Sequence, residues 1–150
     1  MWKSFQHKAS IARGLSFSDW LLLAQAWWVL IGFSVKLRLS SLERLQKRVR
    51  VNFGNKRDPS EVLAWAQELE KLVYLASSLH LACMTCLVRA CSLQWMLGRS
   101  GIPSRLCIGV NNSLPGMHAH AWVQVMGQAL GEPEDIEERF KVLEPSSSQE

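Results

Sequence analysis

The run Cys86-Leu-Val-Arg-Ala-Cys-Ser-Leu-Gln-Trp-Met-Leu97 carries a helical pattern, and the residues after it decide the fold. Gly101-Ile102-Pro103 ends that helix, and His118-Ala-His-Ala-Trp122 then alternates as a strand. A thiol that begins a helix, with a histidine on a later strand, is how a helix-borne nucleophile meets a sheet-borne base. Cys86 to Trp122 is therefore a candidate site for cysteine chemistry of the peptidase kind.

The helix is expected to begin between Cys83 and Cys86 and to run to Gly98 or Ser100, burying Leu87, Ala90, Leu93, Met96 and Leu97. With Cys86 in its first turn, the unsatisfied amides and the positive end of the dipole favour the thiolate. The same amides can face the oxyanion of a tetrahedral intermediate.

Downstream, Ser104 to Val110 alternates as a strand, and Asn111 to Gly116 is rich in turn residues. Met117 to Met126 is the next strand, with His118, His120 and Trp122 on one face and Ala119, Ala121 and Val123 on the other. Gly127-Gln128 turns the chain back, so that Glu132 returns antiparallel beside the histidine strand. A helical turn near Asp135 to Glu138 and a strand from Arg139 to Leu143 complete the expectation, and Pro145 to Glu150 reads as a frayed tail.

Upstream, Asp58-Pro59-Ser60-Glu61 is a helix start, with a capping residue, a proline where no N–H is needed and a glutamate three residues after the cap. Its stripe is Val62, Trp65, Leu69, Leu72 and Leu75, ending near Ser77 to His80. Asn52 to Arg57 breaks the pattern before it and divides the chain into residues 1–57, a helical basic segment packed on the core, and residues 58–150, the core itself. Lys36 to Val51 repeats Leu37, Leu42, Leu45 and Val49 among basic residues, an amphipathic basic helix. Trp20 to Val35 is very apolar, with Gln25 inside it, but it is shorter than the roughly twenty residues a bilayer span takes. It reads as a buried helix capped by Ser18 or Asp19, with peripheral membrane contact through Trp27 and Trp28 left open. Residues 1–17 show no period and are expected to lie loosely on the surface.

The chain has 150 residues, 48% of them hydrophobic, enough for a core without disulfides or metals. The net charge of +4 conceals an asymmetry. Residues 1–57 hold eleven basic and two acidic residues, net +9, whereas 58–150 hold six basic and eleven acidic, net −5. The first third is a candidate surface for an acidic partner, nucleic acid or anionic lipid, or simply a solvated face. Three of the four cysteines, Cys83, Cys86 and Cys91, lie close together, unlike a spread disulfide framework, and no cleavable signal is evident, which points to a reducing, cytoplasmic setting.

Plainer readings accompany each motif. Cys91 and Cys107 sit on apolar faces as small core residues. Cys83-Met-Thr-Cys86 with His118 and His120 is a conceivable Cys2His2 zinc site, but the histidines are too close together for common finger patterns, and Leu-Val-Arg-Ala continues a helix where a knuckle would turn. Nucleic-acid binding rests on the basic first third alone, with no readout motif, so no nucleic-acid partner is expected.

Cys86-Leu-Val-Arg-Ala-x-x-Leu-Gln-x-x-Leu-x-x-x-Gly-Ile-Pro-x-x-Leu-x-Ile-Gly-Val110, then His118-Ala-His-Ala-Trp-Val-x-Val125, Gly127 and Gly131-Glu-Pro-x-Asp135, resembles the transglutaminase-like leader peptidase of lasso peptide biosynthesis. The likeness covers about residues 58–144 closely, and the apolar helix and basic segment before it more loosely.

The resemblance implies an α+β, papain-like or transglutaminase-like core, with a cysteine-bearing helix on a small antiparallel sheet and additional N-terminal helices. It makes Cys86 the nucleophile, His120 the base and Glu132, where the pattern usually has aspartate, the acid that orients the imidazole, with Asp135 the runner-up. Gln124 and Met126 stand where relatives often carry acidic residues on the outward side of the strand, a change of surface charge. No metal or organic cofactor is implied. The length leaves no room for a fused recognition domain of the size some members carry, so the resemblance implies the stand-alone peptidase half. Its partners would be the precursor's leader, a separate small leader-recognition protein and a macrolactam cyclase of the asparagine-synthetase type. The alternative is a catalytically silent domain of this fold that only binds peptide.

Overall fold

The computed structural model describes residues 16–39, 58–80, 84–111 and 118–143. The expectations for residues 1–15, for the basic segment 40–57 with its boundary at 52–57, for Cys83, for the 112–117 loop and for the tail fall outside these residues. Three helices come first: α1 (Phe17–Leu39), α2 (Pro59–Ser78) and α3 (Cys86–Arg99). They precede strands β1 (Arg105–Asn111), β2 (His118–Val125) and β3 (Gln128–Ala129), the short helix α4 (Ile136–Arg139) and strand β4 (Lys141–Val142). The strands form one antiparallel sheet in the order β3-β2-β1-β4.

Helix α1 is capped by Ser16, two residues before Ser18, the first of the two expected caps. Ser16 closes a reciprocal box with Asp19: the Ser16 N–H donates to Asp19 Oδ2 at 2.8 Å and the Asp19 N–H to Ser16 Oγ at 3.3 Å. Nor is α1 buried all round. Leu23, Ala26, Leu30 and Phe33 are buried against α2 and α3, while Trp20, Leu21 and Trp28 face outward. Trp27 sits between the two faces, its ring stacked on that of His80 at 4.7 Å. The helix is long and apolar enough to cross a membrane by length and composition.

Asp58 precedes α2 in extended conformation without a side-chain cap bond, so it is Pro59, with φ preset and no N–H to satisfy, that carries the start signal. Val62, Leu69, Leu72 and Leu75 are buried as expected, whereas Trp65 is only half-buried. Helix α3 ends in a Schellman turn: Ile102 N–H reaches Leu97 O at 2.9 Å, Gly101 N–H reaches Gly98 O at 3.0 Å, and Gly101 takes φ +74°.

The sheet is covered on both sides. Ala121, Val123 and Val125 join Leu106 and Ile108 under α2 and α3 in the main core. On the reverse, Cys107 and Trp122 are covered by Ile136, Phe140 and Val142. This second cover corrects the reading of Gln124, expected to point outward: it is buried, accepts from Cys107 Sγ at 3.3 Å and donates to Glu137. Met126 and Gly127, both at positive φ (54° and 81°), make the two-residue turn that brings β3 back along β2.

Candidate active site

Thr85 caps α3, its Oγ1 accepting from the Val88 amide at 3.3 Å and its carbonyl from the Arg89 amide at 3.1 Å. Cys86 is thereby the first helical residue. By helix geometry the amides of Cys86 and Leu87 lie outside the internal ladder, at the end of α3 that borders the cleft. Cys86 is half-buried, unlike Cys91 and Cys107. Burial pushes the Cys91 thiol up to about 11 and raises that of Cys107 as well, so neither is a nucleophile at neutral pH.

A cleft of about 330 Å³ opens between α2, α3 and β2, and both Cys86 and His120 line it. Thirty-four positions separate the two in sequence, and the packing of α3 on the sheet brings them to one cavity. The His120 ring lies across Trp122 at 6.0 Å between centroids, interplanar angle 19°, and against Phe140 at 5.4 Å. Its Nε2 is 2.8 Å from Glu132 Oε1. With Nε2–H donating to the carboxylate, Nδ1 keeps the lone pair, the tautomer that can take a proton from a thiol. His118, two residues earlier, is exposed, and Asp135 is exposed at the start of α4. His120 is bonded to Glu132, not to Asp135.

Other residues, to which the sequence assigns no role, also shape this site. Gly109 lies opposite His120 across the β1–β2 pair, and a Cβ there would stand 2.8 Å from Phe140 Cβ and 3.0 Å from the Trp122 ring. A lone glycine inside a strand pattern is the available signal for such a close approach. Gly109→Ala is expected to cost about 1–3 kcal/mol by overpacking and to displace the two rings under the imidazole. A thermal melt together with a turnover assay reads both effects.

Phe140, in the segment between α4 and β4, supplies one of those rings. Its contact spans the sequence in a way that no local period reveals.

Glu70 and Arg89, from facing helices, line the cleft with Tyr74, over whose ring the Arg89 guanidinium sits at 5.5 Å. Glu70 packs onto the turn that carries Glu132: a Cβ on Gly131, at φ +68°, would be 2.5 Å from Glu70 Oε1. Burial pushes the Glu70 carboxyl up from its usual value; Arg89 opposes that rise and Glu132 adds to it. The folded state thus holds a proton there that the unfolded chain has already lost, so stability falls as pH rises above the ordinary carboxylate range and stays lower beyond. Glu70→Gln is expected to raise the melting temperature at neutral pH and to leave it nearly unchanged at about pH 4, where both states are protonated. Melts across pH check the crossing.

A thiol at a helix start, an imidazole on the neighbouring strand and a carboxylate behind it form the arrangement of cysteine acyl-transfer folds. Residues 29–144 match the family model of the transglutaminase-like superfamily, and the chain belongs to that superfamily. Its helices and small antiparallel sheet are an α+β fold of that kind, in a superfamily that includes cysteine peptidases. No curated protein and no solved structure matches the chain.

Proposed function

We propose that the protein is a cysteine peptidase that removes the leader from a ribosomally made lasso peptide precursor. The observation that carries this reading is the 2.8 Å His120–Glu132 contact on the wall of the cleft that Cys86 also lines. The resemblance of Cys86 to Asp135 to leader peptidases supplies the substrate class.

His120 Nδ1 takes the proton of the Cys86 thiol, and the sulfur attacks the carbonyl at the leader–core junction. The amides at the start of α3 stabilise the oxyanion. As the C–N bond breaks, the imidazolium gives its proton to the departing core amine, leaving the leader as a thioester on Cys86. Water, deprotonated by His120, then attacks the thioester; the C–S bond breaks, the leader leaves as a carboxylic acid and the thiol is restored. Glu132 holds the imidazole and balances its charge while it is protonated.

A separate leader-recognition protein would present the precursor, and a cyclase of the asparagine-synthetase type would use the freed amine. The test is to incubate the protein with a candidate precursor and its recognition partner and to follow product masses. Intact leader acid and free core peptide are expected. A precursor that is bound but never cut, in the presence of the partner, would favour the peptide-binding alternative.

A further inference from the structure

Helix α1 has two apolar faces, and the fold uses one of them. Leu23, Ala26, Leu30 and Phe33 are buried against α2 and α3. On the opposite side Phe17 (80% exposed), Trp20 (51%), Leu21 (59%), Trp28 (68%), Val35 (50%) and Leu39 (79%) stand in solvent. At helical periodicity these six fall within an arc of roughly 100°, so they form one continuous stripe. Such a stripe on a helix of 23 residues, about 35 Å long, is far more than scattered surface hydrophobes.

The charges around the stripe select what covers it. Asp19 is the one acid of α1, and it is engaged with Ser16 on the first turn. Lys36 and Arg38 stand at the C-terminal end, one on either flank of the stripe. The sequence on both sides of the helix is basic, so residues 1–57 carry net +9. Two outward tryptophans on an apolar face with cationic flanks are what an interfacial helix presents to lipid headgroups. Because the inner face is committed to α2 and α3, the helix cannot cross a bilayer alone; it can lie in the plane of one. A second copy of the chain would add the like charge of another basic sequence, whereas an anionic surface offers the opposite sign.

We propose that the outer face of α1 is a docking surface for an anionic lipid membrane, on which the protein lies peripherally. No residue of α1 lines the cleft of Cys86 and His120, so that cleft stays open to peptide while α1 is seated.

The test is co-sedimentation of the full chain with vesicles of phosphatidylcholine alone and of phosphatidylcholine containing phosphatidylglycerol, at low and high salt. Binding is expected to be at least about tenfold stronger to the anionic vesicles, with a blue-shifted tryptophan emission and weakening by salt. Two double variants separate the apolar from the electrostatic part: Trp20→Ser with Trp28→Ser, and Trp20→Glu with Trp28→Glu. Both remove exposed side chains, so circular dichroism and melting should be retained while vesicle binding falls by at least about tenfold. Wild type left in the supernatant with anionic vesicles overturns the proposal. So does equal binding of wild type and the serine variant, which would assign binding to charge alone. A solution dimer that ignores vesicles and that either variant splits would assign the stripe to a second copy. The readout is lipid binding, so it stands or falls independently of peptide cleavage.

Discussion

Replacing Cys86 by alanine is expected to reduce leader removal to background, a loss of at least about 10³-fold, with the melting temperature little changed. The thiol is half-buried on the wall of a cleft at the edge of the main core, so its removal leaves little cavity. Cys91 and Cys107 cannot substitute, since burial keeps both as thiols, and Cys107 is further engaged with Gln124. Parallel variants Cys91→Ala and Cys107→Ala would be expected to lose stability with turnover retained in the folded fraction. Mass spectrometry of the cleavage products together with a melt separates the two behaviours. Full cleavage by Cys86→Ala would remove the thioester mechanism outright.

Glu132→Gln is the second large effect, expected to slow cleavage by roughly 10²- to 10⁴-fold. The amide preserves the length and shape of the side chain that meets His120 Nε2 at 2.8 Å. It removes the negative charge that balances the imidazolium, and its NH₂ can turn toward Nε2 and favour the other tautomer, which presents N–H instead of a lone pair to the thiol. Glu132→Asp keeps the charge but falls a methylene short on the same backbone, so an intermediate rate is expected. Single-turnover rates on a saturating precursor distinguish the three proteins. A Glu132→Gln enzyme as fast as wild type would leave the imidazole without a need for the acid.

Much of this was legible in the residues because the signals were local. Helix α3 announced both ends through the cysteine pattern and Gly101, and the β2–β3 hairpin through strict alternation ending at Gly127. The side of β2 on which His120 and Trp122 lie comes from the period of two alone. What was not legible depended on segments far away in sequence. Gln124 was expected outward because relatives often carry acidic residues there, and no local pattern reveals that α4 and Phe140 fold over it. The contacts of Gly109 likewise need Phe140 to return across β1. The α1 reading failed in a different way. A helix apolar on every side says that its faces seek cover, and only the packing of α2 and α3 shows that one face finds it within the chain.

His120 and Glu132 are twelve positions apart on one reversing ribbon, so the imidazole and its carboxylate travel together whatever the rest of the molecule does. The sulfur arrives by another route, at the tip of a rod that packs on β2 and is braced by two helices, α1 and α2. Substitutions along those two supports that slide the rod by a fraction of an ångström would change the gap the proton must cross while sparing the ring's alignment. Reaction rate in this scaffold is therefore adjustable from positions that never touch the peptide, and drift among its relatives is expected to accumulate there.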